Sequence, residues 1–146
     1  MMDAAVIAVL NELLAVEQQS LALRLFESTM FLSRLDVGAY DVVQSMADAA
    51  RDHGGALTKL ILELGGEPAP RAGDVTTADL HFLELHYVLP RLISEQQRIE
   101  RFCSATASRV AAIPRCAALI ARILDRHQRD LAKLGSLVTP RQRNVG

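Results

Sequence analysis

Apolar residues recur at i, i+3, i+4 and i+7 through four long segments of the chain, and that period admits helices and little else. Leu10, Leu13, Leu14, Leu21 and Leu25 form the first stripe, and Val43, Met46, Ala50, Leu57, Leu60 and Leu64 the second. Leu85, Val88, Leu92, Ile99 and Phe102 form the third, and Ile120, Ile123, Leu124, Leu131 and Leu134 the fourth. Segments of roughly 20–30 residues are far too long for strands. Ala, Leu, Glu, Gln and Arg, which favour helix, are abundant, while Gly and Pro gather in a few places.

Those places set the expected boundaries. Helix A runs from about Asp3 to Ser33, with Asp36-Val37-Gly38 as the break. Helix B runs from about Ala39 to Leu64 and stops at Gly65-Gly66, with Pro68 and Pro70 beyond. Thr76 to Asp79 offers side-chain oxygens to cap helix C, which extends from about Ala78 to Ala111 with a possible kink at Pro90. Pro114 suits the first turn of helix D, which is expected to end near Gly135. The A–B and C–D connections are short and make antiparallel hairpins. The B–C connection, Gly65 to Thr76, can reach about 40 Å at roughly 3.3 Å per residue, enough to cross a bundle lengthwise. The expected fold is all-α: one domain over residues 1–137, a four-helix bundle with a long B–C crossover, followed by a flexible tail over 138–146.

Composition narrows the function classes. Lys+Arg 16 against Asp+Glu 17 leaves a net charge of -1, so no basic surface speaks for nucleic acid or an anionic membrane. Hydrophobic residues at 50% suffice for a core and exclude disorder as the main state. Two cysteines and no basic, cleavable leader point to a reduced, cytoplasmic chain, and Asn11 and Glu12 interrupt the first apolar run well short of a membrane span. Cys103 and Cys116 fit no metal spacing and read as inert buried thiols, while His81 and His86 read as surface or helix-end residues.

Each apolar stripe is broken mid-helix by one ionisable residue: Glu17, His53, Glu95 and His127 in chain order. A lone buried carboxylate is costly, so four such interruptions need a shared explanation. Their depths agree. At about 1.5 Å per residue, Glu17 and His53 differ in level by about 3 Å, and Glu95 and His127 by about 4–5 Å. A weak repeat, Glu17-Gln18-Gln19 against Glu95-Gln96-Gln97, suggests two copies of a helical hairpin, each giving a Glu and a His. Converging on the bundle axis, two Glu and two His suit one divalent metal in mixed nitrogen and oxygen coordination. Asp130, three residues after His127, is aimed to supply a fifth ligand, whereas Asp52 and Asp125 are rotated about 100° away.

With its helix lengths, long crossover, Gly65-Gly66-Glu67-Pro68 stop and Glu/His/Glu/His order, the chain resembles the ferritin-like superfamily of rubrerythrins and bacterioferritins over about Asp3 to Leu134. In that pattern the first and third helices each give a Glu, and the second and fourth each give Glu-x-x-His. Glu17, Glu95, His53 and His127 match; Ala50 and Leu124 stand where the two bridging glutamates would be. The resemblance therefore implies a reduced site for a divalent metal, iron first with manganese or zinc as alternatives, and oxidase- or peroxidase-like redox chemistry if the metal is iron. It also implies self-association, a homodimer through outer helix faces.

The competing reading is a helical interaction module that has lost the metal, with Glu17–His53 and Glu95–His127 as buried hydrogen-bonded pairs. A core Glu can instead pair with an arginine, and Arg24 and Arg91 are available. A third reading, an organic ligand enclosed by the four helices, has no polar anchor beyond the same four residues.

Overall fold

The computed structural model describes residues 4–27, 37–69 and 85–145. Among them are helices α1 (Ala4–Gln18), α2 (Leu21–Glu27), α3 (Val37–Glu63), α4 (Leu85–Arg109) and α5 (Pro114–Val145), and no strand. The fold is all-α, with α1 and α2 together forming the first of four rods. That rod packs on α3, α3 packs on α5, α5 packs on α4, and α1 reaches α4; α3 and α4 share no comparable interface. Leu10, Leu13, Leu14, Leu57, Ile61, Ile120 and Ile123 are fully buried between the rods in one core cluster, and Leu21, Val43, Leu92 and Leu134 in a second.

Helix α3 stops at glycine for a geometric reason. Gly65 has φ +82°, a conformation that L side chains avoid. Gly66 N–H donates to Ile61 O at 2.9 Å and Gly65 N–H to Leu62 O at 3.0 Å, the crossed pair of a Schellman motif. Gly66 also lies against Ile7, whose Cδ1 would be 2.6 Å from an added Cβ. The chain leaves along α1, where the Asn11 side chain accepts from Ala69 N–H at 2.8 Å and donates to Glu67 O at 3.1 Å. The ion pair Glu63–Arg115 ties the end of α3 to the start of α5, Glu12–Arg109 ties the end of α4 to the middle of α1, and only residues 110–113 separate the end of α4 from α5. Helices α3 and α4 thus finish at the same end of the bundle and run parallel. Residues 70–84, with the expected lengthwise crossover, the Thr76 cap and His81, lie outside the described residues.

Two boundaries and one reading of composition differ from expectation. The first helix is not continuous: it breaks at Gln19-Ser20, where Ser20 Oγ accepts from Leu23 N–H at 3.2 Å and caps α2. Nothing in the apolar stripe marks this break, because the stripe continues in phase across it. At the other end, α5 runs through Gly135 to Val145, so the expected tail is helical as far as Val145. Gly135 is a helix stop only where it takes positive φ, and Gly65 alone does so among the described glycines. Finally, Ala4–Arg24 is long and apolar enough to cross a membrane by length and composition, which the interruption at Asn11 and Glu12 does not prevent. Here its leucines, Leu10, Leu13, Leu14 and Leu21, are buried against the other rods.

Candidate metal centre

Three of the mid-helix residues meet. Glu17 on α1, His53 on α3 and His127 on α5 are 1%, 7% and 5% exposed, so their polar atoms have to find partners inside the bundle. One carboxylate oxygen, Glu17 Oε1, lies 3.2 Å from His53 Nδ1 and 2.6 Å from His127 Nε2. The imidazoles stand edge to face, with centroids 5.3 Å apart and an interplanar angle of 77°. One ligand atom from each residue lies within 4.8 Å of the others, so the group could hold a metal ion. The second carboxylate oxygen, Glu17 Oε2, is buried and has no hydrogen-bond partner. An unpaired buried carboxylate oxygen is costly, and a metal ion or a water is what ordinarily relieves it.

Burial pushes the Glu17 carboxyl up, but the hydrogen bonds from His127 and His53, and then their charges, outweigh it and hold the group below the ordinary carboxylate value. Glu17 is therefore a carboxylate at neutral pH, which is the ligand form.

Glu95 and Asp130 are not brought into this group. Glu95 is turned toward the α1–α2 break, where Oε1 accepts the Leu21 N–H at 2.7 Å and Oε2 lies 3.8 Å from Arg24 Nη2. It works with Ser20 as the cap of α2: the carboxylate takes the first free N–H and the hydroxyl the third. Burial raises the Glu95 carboxyl above its ordinary value, and the Leu21 N–H with Arg24, Arg98 and Arg91 only partly offsets this. The pairing with Arg24 was one of the alternatives open in the sequence. Asp130 is 2% exposed but is gripped by Arg126 Nε, at 3.0 and 3.1 Å from its two oxygens. Arg126 also donates through Nη2 to Ser45 O at 3.0 Å, which turns the pair into a bridge from α5 to α3.

Gln96 takes the inner position instead. It is 3% exposed, and its Nε2 lies 3.0 Å from His127 Nδ1 and 3.2 Å from the His127 carbonyl oxygen. Leu92, Gln96, Ile99, Cys103 and Thr106 form the buried line of α4, continued by Val110 just past its end, while Glu95 and Phe102 are displaced to its flank. That line was readable, since Cys103 and Val110 extend it in phase; the Glu-Gln-Gln repeat drew the register one residue too early.

Cys103 lies near the group as well. Burial, and then the Glu17 and Glu100 charges, push its thiol up to about 12, and its Sγ points to Ile120 O at 3.9 Å. Cys103 and Cys116 are free and buried, in keeping with inert thiols. On the outside, a recess lined by Val16, Gln19, Glu95, Arg98, Ile99 and Phe102 opens between α1 and α4, flanking Glu17 and Gln96.

Comparison with protein-family models, with curated proteins and with solved structures finds no match for this chain.

Proposed function

We propose that this chain is a divalent-metal-binding helical bundle of ferritin-like type, with Glu17, His53 and His127 as the protein ligands. The observation that carries the proposal is the convergence of two imidazoles and one carboxylate, from three different rods, with the second oxygen of that carboxylate, Glu17 Oε2, buried and unsatisfied. Three ligands of this type suit zinc with a fourth position left for water, and equally a two-histidine, one-carboxylate iron centre with open positions. The donor set suits iron, manganese and zinc, and iron is the metal that would add redox activity. A cytoplasmic homodimer is the accompanying proposal for setting and assembly; the homodimer follows from the resemblance and the cytoplasmic setting from the low cysteine content, neither from the site.

One observation favours a second reading. The hydrogen bonds as they stand direct donors from His53 and His127 at Glu17 Oε1, an arrangement that also serves as a purely structural polar network. In that case the protein is a helical interaction module that does no metal chemistry.

Metal content separates the two. Chelator-treated protein is titrated with Fe(II), Mn(II) or Zn(II), and the melting curve is followed. A ligand that binds only the folded state stabilises it by about 2.7 kcal/mol at a hundredfold excess over Kd. Stoichiometric binding with a raised Tm, abolished in Glu17→Gln, is the expected result. An unchanged melting curve with all three metals overturns the metal proposal.

A further inference from the structure

Gln96 is used neither as a ligand nor as a core apolar residue, yet it is almost completely buried against His127. Its amide nitrogen reaches two atoms of the same residue, the ring Nδ1 at 3.0 Å and the backbone carbonyl oxygen at 3.2 Å. The carbonyl can only accept, so it selects the NH2 end of the amide for this position. With an N–H donor facing it, Nδ1 has to present its lone pair. The ring proton of neutral His127 then sits on Nε2, and its 2.6 Å contact with Glu17 Oε1 is the corresponding Nε2–H donation. His53 is arranged the other way round: Nδ1 faces Glu17 Oε1 at 3.2 Å, and Nε2 is left bare in the neutral donating ring.

We infer that Gln96 is a positioning residue which holds His127 in its Nε2–H tautomer and thereby sets how readily the Glu17/His53/His127 group accepts a metal ion. The inference rests on the metal-binding proposal above for its effect on affinity, and on the amide geometry alone for the tautomer. A metal ligand must offer a lone pair, so Nε2 can join the site only after its proton has left and Nδ1 has taken one up. The two events balance: one proton lost at Nε2, one gained at Nδ1, and a ring that is neutral before and after. Nδ1–H then needs an acceptor, which the Gln96 side chain supplies by turning its amide so that Oε1 replaces Nε2. That turn gives up the bond to the His127 carbonyl. The metal-free site therefore carries a built-in resistance to loading, located on α4, outside the ligand set. A metal-bound histidine ordinarily gives its second N–H to an acceptor, and changes to such partners shift metal affinity by about 10–100-fold.

The test uses the full chain, labelled with 15N at histidine and freed of metal by chelator, with Zn(II) as the probe. Long-range proton–nitrogen spectra report which ring nitrogen of His127 carries the proton, a signature that loss of packing alone does not reverse. The expected result for the metal-free wild type is protonated Nε2 and bare Nδ1, with Nδ1 protonated once Zn(II) is added. Gln96→Glu, whose carboxylate can only accept, is expected to place the proton on Nδ1 before any metal is added and to tighten Zn(II) binding about tenfold. A proton on Nδ1 in the metal-free wild type overturns the inference, whatever the metal does and whether or not the variant folds. An unchanged tautomer and affinity in a folded Gln96→Glu also overturns it. Absence of Zn(II) binding to both proteins, with wild-type His127 protonated at Nε2, instead overturns the metal proposal and the affinity step with it, and upholds the tautomer assignment.

Discussion

Glu17 is a charged group at the centre of the bundle, and its dependence on His127 can be measured without any metal. In the metal-free protein, His127→Ala removes the closer of two donors to Glu17 Oε1, the one at 2.6 Å, and leaves His53 at 3.2 Å. Removing a hydrogen-bond donor from a buried charged acceptor costs about 1.5–3 kcal/mol, because the carboxylate is left without its nearer partner. The truncation also opens a cavity and strips Gln96 Nε2 of one partner, about 1–3 kcal/mol for an unsatisfied buried donor. Glu17→Gln removes the charge, keeps an acceptor at Oε1, and places an NH2 where Oε2 had no partner, for a cost of about 1–3 kcal/mol.

The double variant discriminates. Cavity and Gln96 costs appear equally with either residue at position 17, so they cancel in the cycle. The uncompensated-charge cost appears only when Glu17 is present. His127→Ala/Glu17→Gln should therefore be more stable than the sum of the single effects by about 2–3 kcal/mol. Urea unfolding in chelator at neutral pH, followed by helical circular dichroism, gives all four stabilities. The acid limb supplies the sign. Because the folded Glu17 carboxyl lies below its ordinary value, its contribution is complete above the ordinary carboxylate range and is lost as pH falls through the lower folded value. Glu17→Gln should flatten that loss. Single effects that add to within about 0.5 kcal/mol would refute the claim that His127 is what compensates a charged Glu17.

Three further outcomes follow from the residues around the site. Glu95→Ala should cost about 0.5–2 kcal/mol through loss of the Leu21 cap, whereas Glu95→Gln keeps the acceptor and should be close to neutral; burial raises the Glu95 carboxyl, so its charged form is the destabilising one above that value, and urea midpoints at pH 7 check both. Asp130→Asn should weaken the Arg126 bridge and lower the urea midpoint while leaving Zn(II) affinity within twofold of wild type; a tenfold loss of affinity would instead make Asp130 a ligand. Cys103, with its thiol pushed up to about 12 and no exposed surface, should resist iodoacetamide at pH 8 in the native state and react once urea unfolds the chain, as followed by mass spectrometry.

The sequence reveals the bundle and part of its centre for different physical reasons. Stripes with a period of 3.6 residues are long-range averages, so four rods, the glycine stop at Gly65 and the proline start at Pro114 survive small errors of register. The break at Ser20 is local and is held by a partner 74 residues away, Glu95 to Leu21 N–H, which no periodicity contains. Gly135 fails as a stop for the complementary reason: a glycine ends a helix only through its dihedral angles, and Gly135 does not take positive φ within α5.

At the centre, Glu17, His53 and His127 are legible because each lies in phase with apolar residues on both sides. Glu95 and Gln96 are adjacent on α4, and one residue of helix turns a side chain by about 100°, enough to exchange the bundle interior for its flank. Chemistry favours choosing the carboxylate for the interior; packing chooses the amide. The flank offers Glu95 a helix N-terminus and Arg24, which partly compensate a charge, while the interior already holds one carboxylate with a single oxygen partnered. A second buried carboxylate beside Glu17 would repel it and leave more oxygens unsatisfied. Gln96 instead supplies N–H groups to His127 without adding charge, so the protein retains one anion and two imidazoles at its core. The same economy of charge explains Asp130, which is buried deep in the bundle yet neutralised by its own helix through Arg126 four residues earlier. What decides whether a buried acid becomes a candidate ligand here is therefore whether a cation or a free helix end lies within reach, and Glu17 is the one of the three that has neither.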